Sequence, residues 1–178
     1  ANKDWTTNDS FTTAIPGGSS KVASFGSRFQ GQSGSANLSN YVADNNGTIG
    51  FTETSFVTDS ARAAKGMRSA LIKNAAGIYT APTAAAAASM IGASAIDAQG
   101  FVTFDYKQTT NKTAYPIVAV TYLLGKTAKS AKNAVVADFA KWMINDYGPT
   151  AADALGYTPL AGAIKTAALA QAAKINSK

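Results

Sequence analysis

The sequence predicts an α/β fold, because stretches with strand-like patterns alternate along the chain with stretches of helical periodicity. Residues 115–124 are almost entirely apolar and rich in β-forming side chains, which is typical of a strand covered on both faces. Residues 81–92 contain a run of alanines after a proline, and residues 133–147 place apolar side chains at helical spacing. We therefore expect helices that pack on a sheet.

The N-terminal part of the chain combines an irregular start with a first helix and strand. The first 35 residues are rich in serine, threonine, glycine and asparagine, which favours irregular structure with one short strand at 21–25. A helix over 37–43 follows, with Ser35 as its predicted N-cap. An Asn-Asn-Gly turn ends this helix, and residues 48–52 predict a short buried strand.

The rest of the chain continues the alternation. Residues 54–65 predict a helix that Gly66 closes, and Gly148-Pro149 predicts a helix break. The other predicted elements are, in order, a strand at 67–74, a helix at 81–92, strands at 101–106 and 115–124, and helices at 133–147, 150–155 and 161–175. We accordingly divide the chain into an irregular segment, 1–35, and one α/β domain, 36–178.

The composition excludes several classes of function. The 178 residues include no cysteine and no histidine, which excludes zinc fingers, haem and iron–sulfur ligation, cysteine nucleophiles and His-assisted serine triads. Glu53 and nine aspartates are a small inventory for an enzyme built on paired carboxylates. We therefore expect a binding protein rather than an enzyme, with no cofactor and no metal.

The charge pattern does not indicate a nucleic-acid or membrane protein. The net charge is +6, but the basic residues are spread along the chain without a basic stripe interleaved with aromatic residues. Two interpretations stay open: ordinary surface charge, or attraction of a small anion by the summed field. No apolar run approaches the roughly 20 residues needed to span a bilayer, so no transmembrane segment is expected.

Five short blocks carry a resemblance to a known family. They are GTIGFTE at 47–53, LIKNAAG at 71–77 with APT at 81–83, AYPI at 114–117, FAKW at 139–142 and LGYTPL at 155–160. In this order and spacing they resemble the C-terminal part of the phosphate-binding proteins that serve phosphate ABC importers. The resemblance covers roughly residues 30–175, and Ala161 stands where the family's PLP signature has its final proline.

The resemblance implies a type II periplasmic-binding-protein fold, here partial, with one lobe and the return segment of the other. It implies a periplasmic or extracellular receptor without catalytic activity, held at the membrane by a lipid anchor that this chain lacks. Its partners would be inorganic phosphate and the ABC permease. Because the family's phosphate ligands come mainly from its N-terminal half, we expect this chain alone to bind phosphate weakly or not at all.

Four residues are candidates for an anion site: Arg28, Ser33, Gly34 and Ser35. They resemble the family's R-x-D-G-S-G-T loop, in which backbone N–H groups and hydroxyls at a helix N-terminus hold an oxyanion. The spacing from the arginine is one residue too long, and Gln30 replaces the aspartate that would accept a proton from hydrogen phosphate. The competing interpretation is ordinary helix capping.

A second functional hypothesis comes from a different class. The same fold could be reused as a structural or adhesive module of a surface protein, in which the anion site has decayed. The degenerate segment from Gln30 to Ser35 and the polar N-terminal stretch motivate it. Glu53 follows a predicted strand, and the resemblance, in which this acid follows a crossing strand, implies an inter-lobe or N-cap contact rather than ligand binding.

Overall fold

The computed structural model describes Thr6, Asn8 and residues 10–178. The chain divides into two compact units, Ala1–Gly50 and Phe51–Lys178. The predicted domain boundary after residue 35 falls within the first unit, just after a helix begins. Residues 1–5, 7 and 9 of the predicted irregular segment lie outside the described residues.

The first unit contains several helices. They are α1 (Phe11–Ala14), α2 (Gly18–Ala23), a 3-10 turn (Gly26–Arg28) and α3 (Gly34–Asp44). The prediction of irregular structure with a strand at 21–25 is therefore wrong for residues 10–28. Gly17, with φ of +87°, turns the chain into α2, and the N–H of Lys21 donates to the carbonyl of Gly17 at 3.2 Å.

Helix α3 confirms the helix predicted over 37–43, although its N-cap is Ser33 rather than Ser35. Its C-terminal half lies against Gly50, where a Cβ would be only 2.7 Å from Cδ2 of Leu38. Residues 48–52 form no strand, and Ile49 is 90% exposed. A strand needs hydrogen-bonding partners, and no described part of the chain supplies them for this segment.

The second unit carries the remaining helices. They are α4 (Thr54–Thr58), α5 (Ser60–Ala64), α6 (Ala84–Gly92), α7 (Ala131–Trp142), α8 (Gly148–Ala151) and α9 (Gly162–Ala172), with a π-helical segment at Met143–Tyr147 and a 3-10 turn at Asp153–Leu155.

Side-chain caps explain where three of these helices begin. Thr83 accepts a hydrogen bond from the N–H of Ala86 at 3.1 Å to start α6, and Ser130 starts α7 in the same way. Asp59 caps α5, which divides the predicted helix at 54–65 into two. The predicted helix break at Gly148-Pro149 is absent. Helix α8 begins at Gly148, and proline is tolerated in the first turn of a helix.

The strands form two antiparallel hairpins of two residues per strand. Strand β1 (Ile72–Lys73) pairs with β2 (Tyr79–Thr80), and β3 (Ala95–Ile96) pairs with β4 (Val102–Thr103). The predicted strands at 67–74 and 101–106 are therefore present but short. The predicted strand at 115–124 is absent, because none of the described residues makes a β-ladder with it. The α/β class and the two-lobed fold stay predictions.

The core of the second unit lies where α9 packs against α6 and α7. Its members are mostly small, which lets the helices approach closely: Ala86, Met90, Ile91, Ala137, Ala140, Ile164 and Ala172 are all buried. The helical spacing of apolar residues at 133–147 predicts a buried stripe that includes Phe139, and this is partly wrong, because Phe139 is 46% exposed. Its ring packs near Trp142 at the surface, with centroids 6.0 Å apart, while the neighbouring alanines face the core.

Candidate functional site

The four candidate anion ligands lie in the first unit, and the structure does not join them into one site. Arg28 ends the 3-10 turn, and its Nε donates to the carbonyl of Phe25 at 3.3 Å. The guanidinium carbon lies 5.8 Å from the centroid of the Phe25 ring. No hydrogen bond or ion pair links Arg28 to residues 33–35 in the described part of the chain.

The start of α3 is a helix N-terminus without a side-chain cap. Ser33 has an extended backbone, and its side chain makes no capping hydrogen bond. Gly34 has φ of +76°, a conformation that favours glycine. Ser35 accepts a hydrogen bond from the hydroxyl of Ser39 through its carbonyl oxygen. The N-terminal amides are thus open, but Arg28, Ser33 and Gly34 are all exposed, so water competes for any anion.

A buried polar cluster in the second unit was not predicted from the sequence. Asn74, only 8% exposed, donates from Nδ2 towards the carbonyls of Asn111, Lys112 and Ala114, at 3.4, 3.1 and 3.2 Å. Its Oδ1 accepts from the N–H of Ile78 at 3.1 Å. One side chain thereby ties the turn between β1 and β2 to a segment some 40 residues later.

Asn111 continues this cluster towards α6. Its Oδ1 accepts from the N–H of Ala114 at 3.1 Å and from the Ser89 hydroxyl at 2.9 Å. Its Nδ2 donates to the carbonyl of Ser89 at 3.1 Å. The sequence signal that could have indicated this cluster is the Asn-x-x-Gly turn at 74–77, since asparagine side chains commonly bond nearby backbone in turns.

The cavities of the second unit do not fit an enclosed anion site. The cavity beside Asn74 measures about 10 Å³, room for about one water molecule. A shallow groove of about 380 Å³ beside α5 contains Arg68, whose Nη1 donates to the carbonyls of Ala63 and Met67 at 2.8 and 2.7 Å. That guanidinium therefore stabilises the local backbone.

Two titratable side chains of the second unit have identifiable surroundings. Burial raises the pKa of the Tyr115 phenol above its usual 10.0, which keeps it neutral at physiological pH. Glu53 occupies the N-cap position of α4 without a side-chain cap, and its Oε2 accepts from the Thr52 hydroxyl at 2.9 Å. Among the described residues, no group of three or more acids is placed to hold a metal ion.

The helices of the described residues include none that is long and apolar enough to cross a membrane. Comparisons with protein-family models, with curated proteins and with solved structures find no significant match to this chain.

Proposed function

We propose that this chain is the C-terminal portion of an extracytoplasmic phosphate receptor of an ABC importer, which binds its ligand and performs no catalysis. The observation that carries the proposal is the hydrogen-bonding of Asn74. This residue belongs to the second block of the family resemblance, and it bonds the carbonyl of Ala114, which begins the third block, at 3.2 Å. Two blocks recognised separately in the sequence therefore meet in the structure.

The last block of the resemblance makes contacts of the same kind. The hydroxyl of Thr158 donates to the carbonyl of Ala84, in the helix that follows the second block, at 3.4 Å. Gly156 lies so close to Ser55 that a Cβ on the glycine would be 2.9 Å from its backbone nitrogen. These short motif residues hold the second unit together, which is what a shared structural framework requires.

The proposal includes weak or absent phosphate binding by this chain alone. Arg28 contacts Phe25 rather than the start of α3, and the exposed amides of α3 are open to water. The ligands of the proposed receptor would come mainly from a complementary N-terminal half. Such a receptor would act in the periplasm or outside the cell and deliver phosphate to a permease.

Isothermal titration of the chain with inorganic phosphate tests this proposal. We expect no binding tighter than about millimolar at about 0.15 M salt, where surface lysines are largely screened. Arg28→Ala serves as the matched variant and should behave like the parent chain. Micromolar binding that Arg28→Ala abolishes would place a working anion site on this chain and contradict the proposed division of ligands.

The second candidate is a module of a surface protein in which the anion site has decayed. The contact between Arg28 and Phe25 favours it, as does Gln30, whose amide donates to the carbonyl of Ser27 at 3.0 Å. The coding sequence upstream of Ala1 distinguishes the two candidates. A preceding half with phosphate-ligand loops supports the receptor, whereas unrelated surface modules support the second candidate.

A further inference from the structure

An apolar segment of the second unit has an open backbone edge. This edge segment, residues 117–124, reads Ile-Val-Ala-Val-Thr-Tyr-Leu-Leu. Within the described part of the chain, none of its backbone N–H or carbonyl groups forms a hydrogen bond. The sequence predicts a strand here, and the structure has no strand in this segment, so its backbone groups remain open to a β-ladder.

Both ends of the edge segment are attached to the rest of the unit. On the N-terminal side, the N–H of Tyr115 donates to the carbonyl of Ala86 in α6 at 3.1 Å. On the C-terminal side, the carbonyl of Lys126 accepts from the N–H of Asn176 at 3.0 Å, and Gly125 lies against Ile175. Because both ends are held, part of the entropy cost of ordering a strand has already been met.

Side chains in the first part of the edge segment, residues 117–121, alternate in exposure, whereas those of residues 121–124 are all exposed. Val118 and Val120 are half-buried. The residues that alternate with them, Ile117, Ala119 and Thr121, are exposed. Farther along, Tyr122 is fixed by its hydroxyl, which accepts from the N–H of Val102 at 3.0 Å. Leu124 is 92% exposed. An alternating segment with one half-buried face is the form that β-strand addition uses.

Most of the charged side chains near the edge segment in the sequence are lysines, although Asp105 lines a cavity together with Pro116, next to the start of the segment. Residues 106–137 contain no aspartate or glutamate, and their lysines are all exposed: Lys107, Lys112, Lys126, Lys129 and Lys132. None of these lysines forms an ion pair with a described residue. A partner strand that pairs with the edge segment is therefore stabilised if its two ends carry acidic side chains on either side of an apolar centre.

We propose that the edge segment binds an extended acidic segment of another polypeptide, which adds to it as a β-strand. A second copy of this chain is disfavoured as the occupant, because its +6 charge would place two lysine-rich flanks together. The proposal goes beyond phosphate binding and does not depend on it. Its test contains no phosphate, so either proposal can fail without the other.

The probe is a ten-residue peptide with three Val-Thr pairs in the centre and two glutamates at each end. Amide hydrogen exchange is followed by NMR on the full chain. We expect protection of about tenfold or more at alternate residues of 117–124, because only every second N–H in a strand faces a given neighbour. Binding should weaken at least about tenfold between 0.05 and 0.5 M salt.

Charge-reversal variants test whether the lysines that follow the edge segment contribute to peptide binding. Lys126→Glu combined with Lys129→Glu should weaken peptide binding at least about tenfold. Lys141→Glu is the matched control, since it lies at the far end of α7 from Lys132 and should change affinity less than about twofold. Circular dichroism of each variant establishes that the helices are retained.

Three results would overturn the proposal. Equal binding of an all-glutamate peptide, without amide protection, would mean that the lysines attract acid and no strand forms. Protection of 117–124 in the chain alone, together with a dimer in sedimentation, would make a second copy the occupant. Protection without the alternate-residue pattern would show that the segment becomes ordered in some other way.

Discussion

Replacing Asn74 tests whether the buried amide cluster holds the second unit together. Asn74→Ala removes a side chain that is 8% exposed and bonds to backbone groups in two separate segments. The amide has two N–H donors, so it can satisfy two of the three carbonyls within reach at one time. The substitution therefore removes about three hydrogen bonds, two donated and one accepted.

The expected loss of stability follows from these bonds. Each contributes about 0.5–1.5 kcal/mol, and a buried carbonyl left without a partner costs about 1–3 kcal/mol. The carbonyl of Ala114 keeps one donor, the hydroxyl of Thr80 at 3.0 Å, which limits the penalty. We expect Asn74→Ala to lower the free energy of unfolding by about 2–4 kcal/mol, a large part of the stability of a domain this size.

Urea unfolding followed by circular dichroism measures this loss. With a slope of about 2 kcal/mol per molar, the middle of the usual range, the midpoint should fall by roughly 1–2 M. Asn145→Ala is the matched control, because Asn145 is exposed and its side chain makes no hydrogen bond to a described residue. It should change stability by less than about 0.5 kcal/mol.

Asn74→Asp distinguishes hydrogen bonding from packing, since the two side chains have the same shape. A carboxylate facing backbone carbonyls is disfavoured, so the folded pKa of the new acid should exceed its unfolded value of about 3.9. The folded state then binds more protons, and the variant loses stability relative to the parent as pH rises above that value. A pH-independent difference, or a loss below about 0.5 kcal/mol for Asn74→Ala, would refute the reasoning.

Gly156→Ala tests close packing, with Gly66→Ala as its comparison, and Tyr115→Phe tests burial. Gly156→Ala should cost about 2–4 kcal/mol, because φ is +78° and the new Cβ would lie 2.9 Å from the backbone nitrogen of Ser55. Gly66→Ala, with φ of +92° and nothing within 4 Å, should cost only about 1–2 kcal/mol, and equal losses in urea would contradict the contact argument. Because burial raises the pKa of Tyr115 above 10.0, its contribution to stability is full below that pH and is lost as pH rises through the folded value. Tyr115→Phe should remove this alkaline loss in thermal unfolding, and an unchanged alkaline slope would assign it to other groups.

The helices were the most predictable part of the fold. Helices α6 and α7 lie close to where the alanine run and the amphipathic pattern place them, and Thr83 and Ser130 start them. Capping and helical periodicity act between residues only a few positions apart, so a single sequence contains the whole signal. The error at 54–65 is local too: Asp59 caps a second helix, a preference that the periodicity did not reveal.

The strands were less predictable, for a physical reason. Residues 115–124 have the composition of a buried strand, but a strand exists only when another segment supplies its hydrogen bonds. Within the described residues, ladders form only in short hairpins, where a tight turn brings the partner close in sequence. The apolar pattern at 117–124 is typical of a β-strand, but no described segment forms backbone hydrogen bonds with it.

The candidate anion site shows the same limit. The sequence predicted a helix over 37–43 with Ser35 as its N-cap, whereas α3 begins at Gly34 with Ser33 as its N-cap. The contact of Arg28 with Phe25, three residues earlier, was not predicted, and whether Arg28 reaches residues 33–35 depends on the path of the chain between them.

By itself, the sequence determined the absence of cysteine and histidine chemistry, the positive charge and the positions of the main helices, because these depend on composition and on neighbours a few residues apart. Only the tertiary structure decided that Asn74 joins segments about 40 residues apart, and that no described residue pairs with the backbone of 117–124. Contacts between distant segments depend on how the whole chain closes, and the cost of that closure does not appear in any local pattern.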